Sequence, residues 1–295
     1  MVKVSFTVRG TLPREFSDES TVPVDESSLD HITKGASILV LDLFGFSKQV
    51  LDGLRAFPVT VCIDDGSPCL FTCDALINPN VNREFTHLTS EHTLYLHGGQ
   101  YVILRPQFDN IPARKCKEHP SDLLVAFGGT DPERLTLPVI RLLMRAKNLP
   151  FERITVIVVD PSQIGVLQHT IRNDKRFELR FRINNVSSVM QSADVGLVTA
   201  GTMMYECAVT GLPSIILSLD ERQAREARTF AYKGAAHYLG DATQLDRDTF
   251  QEAVSAVAEK EKRQRMAKAV QSLIDGKGRE RVADAIMDIV QRKRA

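Results

Sequence analysis

The sequence predicts an α/β fold built from two Rossmann-type, doubly wound units. Three observations carry that expectation. Short apolar runs alternate with amphipathic helical segments along most of the 295 residues, which argues for mostly parallel sheets with crossover helices. A polar, proline-broken stretch at 109–120 separates a less regular first half from a more regular second half. Two of the apolar runs end in turns of small residues, as strand-to-helix junctions that approach a ligand do.

The chain enters on a strand, because Val2, Val4, Phe6 and Val8 alternate with Lys3, Ser5 and Thr7. A short helix is expected near Leu29 to Lys34, a strand over Ser37 to Leu43, and a helix over Phe46 to Ala56 with Val50, Leu51 and Leu54 on one face. Val59 to Ile63 reads as the next strand, ending at Asp64-Asp65-Gly66. Ala75 to Ile77 and Tyr101 to Leu104 are further apolar runs, the latter ending a strand at Arg105-Pro106. His87, His92 and His97 recur every five residues in a polar loop and are expected at the surface. These readings divide the chain into an N-terminal Rossmann-like domain (1–108), a linker (109–120) and a C-terminal nucleotide-binding domain (121–295) with terminal helices. In the latter, strands are expected at Asp122 to Phe127, Ile154 to Val159, Glu178 to Phe181, Val195 to Thr199 and following Pro213. Helices are expected at Glu133 to Lys147, Gln163 to Arg172, Val186 to Gln191 and after Thr202, then Gln244 to Glu259, Lys260 to Ile274 and Arg279 to Arg292.

Composition narrows the function classes. Lys plus Arg (37) balances Asp plus Glu (37), so no basic field points to nucleic acid. No apolar run is long enough for a membrane span, and Met1 to Phe6 read as an alternating strand pattern without a signal-peptide h-region. The five cysteines are odd in number and scattered, which suits free thiols in a reducing, cytoplasmic setting. Cys69-x-x-x-Cys73 lacks a second ligand pair and the histidines form no H-x-x-x-H pair, so no metal site is expected.

Three motifs point to chemistry. Phe127-Gly128-Gly129-Thr130-Asp131-Pro132 ends a strand in two glycines, a capping residue and proline at the first helical position. Its glycines would let the backbone face a diphosphate, yet no Walker lysine follows and the spacing is not that of a dinucleotide fingerprint. The second motif, Thr199-Ala200-Gly201-Thr202 with Glu206 four residues on, puts a small-residue turn before a helix N-terminus, where phosphates bind. Glu206 would accept from the two ribose hydroxyls, although any carboxylate early in a helix is also stabilised by the helix dipole. The third, Asp220-Glu221-Arg222-Gln223, follows the last strand expected in the sheet and could bring Gln223 to sugar hydroxyls. In the first half, Asp64 and Arg105 end apolar runs. Each could be structural, or could handle the sugar and the diphosphate charge.

Together with Asp42-x-Phe44-Gly45, Ile63-Asp64-Asp65, Tyr101 to Phe108 and Ile274-Asp275-Gly276-Lys277-Gly278-x-x-Arg281-Val282, these motifs resemble the nucleotide-sugar hydrolase of pseudaminic acid biosynthesis from about Lys3 to Val290. That enzyme releases UDP from a diacetamido-trideoxy sugar nucleotide. Its family includes spore-coat polysaccharide proteins and is similar in fold to the UDP-GlcNAc transferase of peptidoglycan synthesis. The resemblance implies a GT-B-like architecture, two Rossmann-type domains facing a cleft, with UDP or a UDP-sugar as ligand and no further cofactor. It implies that Gly128, Gly129, Thr130, Gly201 and Thr202 face phosphate or sugar, that Glu206 faces the ribose, and that the turn from Arg182 to Val186, with Ile183, faces the uracil.

Against the family pattern the chain starts one βα unit later, so the first domain is expected to be truncated. No residue fills the place of the glycine-histidine loop whose histidine is the family's proposed base, and Phe44 stands where tyrosine is usual. The shortened sheet would offer an open edge to a protein partner or an oligomer. Three readings stand side by side: a hydrolase, a glycosyltransferase with Asp64 as base, and a catalytically silent nucleotide-sugar or partner binder.

Overall fold

A computed structural model describes residues 6–8, 21–23, 37–43, 48–54, 57–82, 87–129, 131, 134–181 and 183–294. Backbone contacts group the chain into two compact units: Met1–Ile77 with His87–Tyr95 and Ala285–Ala295, and Asn78–Thr86 with Leu96–Asp284. The expected helix near 29–34, Phe44 and Thr130 lie outside the described residues.

In the first unit, β1 (Phe6–Val8) pairs in parallel with β2 (Thr21–Pro23). There follow β3 (Leu39–Asp42), α1 (Lys48–Gly53), β4 (Thr60–Ile63), β5 (Leu70–Phe71), β6 (Ala75–Asn78), β7 (Leu88–Thr89) and β8 (Leu94–His97). A four-stranded sheet runs β3-β4-β6-β8, and β5 pairs in parallel with β7. Its core is Leu41, Leu51, Leu54, Cys62, Phe71, Cys73 and Leu76. β3 stands at one end of the described sheet, and its Val40 is half exposed.

Two expectations fail here. Tyr101–Leu104 belongs to no strand: a 3-10 helix (Gly99–Tyr101), an extended stretch and a second 3-10 helix (Pro106–Phe108) take its place. Its apolar residues Val102 and Leu104 instead fill the core of the second unit. His87 is not a surface residue. It is buried, with Nε2 2.5 Å from Asp64 Oδ2 and Nδ1 3.1 Å from the Tyr95 hydroxyl. Partners distant in sequence compensate the imidazole for lost water, which the polarity of its neighbours could not foretell. His92 remains exposed, and His97 is half-buried against the Asn82 carbonyl.

The second unit carries β9 (Asp122–Ala126), α2 (Thr136–Arg145), β10 (Arg153–Val158), α3 (Ile164–Ile171), β11 (Phe177–Phe181), α4 (Val186–Ser192), β12 (Val195–Thr199), α5 (Thr202–Val209), β13 (Ser214–Ser218), α6 (Glu221–Tyr232) and β14 (His237–Asp241). The helices α7 (Arg247–Ala258), α8 (Lys260–Leu273) and α9 (Gly278–Arg294) close the chain. All pairs in the sheet β11-β10-β9-β12-β13-β14 are parallel. Such strands are buried on both faces and so read as continuous apolar runs. In β9, Leu123 and Val125 join the core on one face, and Leu124 and Ala126 the core on the other. The sixth strand, β14, was not expected. It is an edge strand with Leu239 as its one buried residue and a register shift opposite Ile216 and Leu217, so its pattern is weak.

The segment 109–120 is fastened to the second unit by two arginines. Arg114 donates to the carbonyls of Met190, Ala193 and Thr210, around the C-terminal ends of α4 and α5. Arg263, itself buried, donates to the carbonyls of Lys117, Glu118, Val257 and Ala258. Positive side chains at helix C-termini meet carbonyls that lack intrahelical partners. Likewise, the Tyr101–Phe108 and Ile274–Val282 motifs meet each other. Arg281 donates to the Gln100 carbonyl at 2.9 Å, Arg279 pairs with Asp109 at 2.5 Å, and Gly278 lies against the Val102 backbone.

A Cβ on Gly278 would overlap the Val102 carbonyl oxygen and lie 2.7 Å from its nitrogen. Gly278→Ala is therefore expected to destabilise the protein by about 1–3 kcal/mol in urea unfolding. Gly165→Ala in α3, where an added methyl meets nothing within 4 Å, should instead stabilise it by up to about 1 kcal/mol.

Candidate functional site

The sheet reverses direction between β9 and β12. From β9 the chain winds outward through β10 and β11, then returns to lay β12 on the other side of β9, with Val198 opposite Ala126. At such a switch point the two loops at the strands' carboxyl ends part and leave a crevice. Those loops are Phe127–Gly129 and Ala200–Gly201, the two glycine motifs singled out in the sequence. Gly128 takes φ +79°, a conformation that favours glycine. A methyl added at Gly128, Gly129 or Gly201 would meet nothing within 4 Å. Packing among the described residues does not explain these glycines, and those residues leave the space in front of them open.

The second loop leads into α5. Its cap residue is Gly201, with no side-chain cap, and Thr202 is exposed. Thr199 and Ala200 are buried, and the Ala200 amide extends the ladder to the Leu217 carbonyl at 2.7 Å. Of this turn, therefore, Gly201 and Thr202 reach solvent. On the β9 side, α2 begins later than expected, at Thr136. Asp131, at φ +43°, sends its carboxylate forward to the Leu135 amide (2.8 Å) and the Thr136 hydroxyl (2.7 Å), so it caps the helix from a distance.

Glu206 lies on α5 with its side chain 2% exposed. Arg105 Nη2 donates to its Oε1 at 2.7 Å, and Oε2 is buried with no hydrogen-bond partner among the described residues. Burial pushes this carboxyl above the usual range, and Arg105 opposes the shift only in part. The structure thus brings together Glu206 and Arg105, which sequence reasoning had treated apart. Gln223 is in the first turn of α6, its side-chain oxygen accepting from the Leu219 amide at 3.0 Å, while Asp220 caps the helix. Ile183 packs against the core next to α4, whose amide at Ser187 donates to Gln107 at 3.2 Å.

Asp64, in the first unit, is heavily engaged. Its carboxylate accepts from the Gly66 amide (2.9 Å), the Ser67 amide (2.7 Å) and the Ser67 hydroxyl (2.6 Å), besides His87. Burial raises its pKa, but these donors outweigh burial and hold it below the ordinary value. A carboxylate so held is a poor proton acceptor. Sequence reasoning missed Glu226, a buried acid that accepts from the amides of Val81 (2.6 Å) and Asn82 (2.9 Å) and from the Tyr205 hydroxyl (3.1 Å). Its signal was an acid on the same helix face as Ala227 and Phe230. Among the described residues no group of three His, Cys, Asp or Glu could hold a metal ion, and no helix is long and apolar enough to cross a membrane.

Comparison with known structures gives the same fold. The chain is similar to Acinetobacter baumannii MurG, with a TM-score of 0.59 at 13% identity over 81% of this chain and 76% of that one. A co-structure of Staphylococcus aureus MnaA with UDP scores 0.59 at 12% identity over 94% of this chain and 84% of that one. The fold is GT-B-like. Residues 166–286 match the glycosyltransferase family 28 C-terminal domain. That stretch of the GT-B-like chain holds Gly201, Glu206 and Gln223 but not Gly128, Arg105 or Asp64. A spore coat polysaccharide biosynthesis protein, SpsG of Bacillus subtilis (strain 168), is 26% identical over 218 residues, 70% of this chain and 63% of that one. The chain spans less than two thirds of the length of the curated relatives it matches.

The two carboxylates should respond to pH with opposite sign. Glu206 has a folded pKa above its ordinary 4.5, so the folded state binds its proton more tightly and stability falls as pH rises from about 4.5 through the folded value, levelling off above it. Glu206→Gln should gain on the wild type by at most about 1.4 kcal/mol per pH unit across that window. Asp64 lies below its ordinary 3.8, so its contribution is present above that pH and is lost as pH falls through the folded value. Urea unfolding of Glu206→Gln and Asp64→Asn from pH 3 to 7 measures both.

Proposed function

We propose that this protein binds a nucleoside diphosphate, UDP or a UDP-sugar, at the β9–β12 switch point and processes nucleotide sugars in surface-glycan synthesis. The observation that carries this reading is the pair of glycine loops at neighbouring strand ends, left open in front and unexplained by packing among the described residues. Backbone N–H groups at the uncapped start of α5 suit a phosphate there, with Glu206 one to two turns further on for the ribose. The family 28 C-terminal match over this stretch, the polysaccharide-biosynthesis relative and the UDP-bound structural neighbour support the same ligand class. On this reading the second unit holds the nucleotide and the protein works in the cytoplasm.

For the chemistry, a hydrolase or a glycosyltransferase of the nucleotide-sugar class fits the relatives. A catalytically silent binder is the second reading, favoured by the engagement of Asp64, the one base candidate, with four donors. Phosphorus NMR on UDP-sugars, with and without acceptor, separates them by the release of UDP.

Calorimetric titration with UDP should give a saturable signal and raise the melting temperature. Gly201→Val, which places side-chain atoms in the open space before α5, should lower UDP affinity at least about tenfold while the protein still folds. The absence of heat and of thermal stabilisation at millimolar UDP would overturn the reading.

A further inference from the structure

The buried acids of this protein are satisfied very unequally. An ionised carboxylate offers about four lone-pair directions to donors. Asp64 receives four donors, and Glu226 receives two amides and a hydroxyl. Glu206, just as buried, receives one, and its Oε2 has none among the described residues. An acceptor left in that condition has room for further donors, and a vicinal diol brings two side by side.

Its partner is held as loosely as Glu206 is held tightly. Arg105 is 53% exposed, and its guanidinium carbon stands 5.7 Å from the centroid of the Phe108 ring. Its backbone caps the second 3-10 helix, the carbonyl accepting from the Phe108 amide at 3.0 Å, so any movement belongs to the long, half-exposed side chain. Withdrawing its tip from Glu206 returns a half-exposed cation to water, which is a small loss, whereas Glu206 cannot follow.

We propose that Arg105 is an exchangeable internal ligand of Glu206, which the hydroxyl pair of a ribonucleoside diphosphate displaces, and that the released guanidinium then pairs with the diphosphate. The proposal rests on the nucleotide reading of the switch-point crevice. Exchange leaves neither group without hydrogen-bond partners: the carboxylate trades one cationic donor for two hydroxyl donors, and the cation trades a carboxylate for phosphate oxygens. The spacing suits it, since Gly201 precedes Glu206 by five residues of α5, about 7.5 Å along the helix axis. Arg105 thereby weakens the nucleoside part and strengthens the diphosphate part of the same ligand, so the site favours diphosphates over free nucleosides.

The test is calorimetric titration of the full chain and of Arg105→Gln with uridine and with UDP. Without the internal competitor, Arg105→Gln should bind uridine about tenfold more tightly, as expected when a state nine-tenths occupied by that competitor is freed. Its preference for UDP over uridine should shrink by at least the same factor. Should Arg105→Gln not fold, Arg105→Lys, which keeps the charge but donates from a single point, should move both quantities in the same directions by less. Uridine affinity unchanged or weakened in the folded variant, with UDP binding by the wild type intact, overturns the exchange alone. Failure of the wild type to bind UDP overturns the nucleotide reading and the exchange with it.

Discussion

The pairing of β9 with β12 is the constraint on which the second unit depends. Parallel strands cannot be joined by tight turns, so each needs a crossover helix, and every strand presents its carboxyl end at the same edge of the sheet. Because β12 returns to the side of β9 opposite β10, the helices on either side diverge and the two glycine loops are left as neighbours. The residues after Ala126 and after Thr199 thus face one crevice although they stand more than 70 positions apart. Leu123 and Val125 pack into one core and Leu124 and Ala126 into the other, so a slip of one residue would put each side chain into space shaped for its neighbour.

The buried charges of the protein fall into two kinds. Arg114 and Arg263 have carbonyl partners in place of carboxylates: each spreads one positive charge over several peptide dipoles and ties the 109–120 segment to helix ends. Asp64 and Glu226 do the converse, Asp64 gathering the amides of Gly66 and Ser67 and the Ser67 hydroxyl, and Glu226 the amides of Val81 and Asn82. These groups spend their hydrogen-bonding capacity on the fold. Glu206 does not, and an acid that burial raises in pKa yet leaves short of donors is more costly to keep than any structural role beside it requires. That imbalance sets Glu206 apart from Asp64 and Glu226.

Much of this was legible in the residues. The apolar runs at Leu123–Phe127 and Val195–Val198 located central strands, because burial on both faces leaves a continuous hydrophobic signal. Glycines at 128, 129 and 201 marked the turns. Edge and short elements were not legible: β14 has one buried side chain, and β5 and β7 are two residues each, too short for any period to register. Proline at 132 suggested an early helix start, whereas α2 begins at Thr136, since Asp131 reaches forward across the intervening residues to supply the cap.

What the sequence alone determined was the class of fold, the positions of its central strands and the glycine turns at their carboxyl ends. All of these follow from local rules: side-chain periodicity, turn chemistry and the need of parallel strands for crossovers. Only the tertiary structure decided the company each polar residue keeps. His87 went inward to Asp64 and Tyr95, the Tyr101–Phe108 run left the sheet for the core beside α9, and Arg105 met Glu206 across 101 positions of sequence. Hydrogen bonds and ion pairs between distant residues have no period and no local signature, so they are settled only when packing brings the partners within about 3 Å of each other.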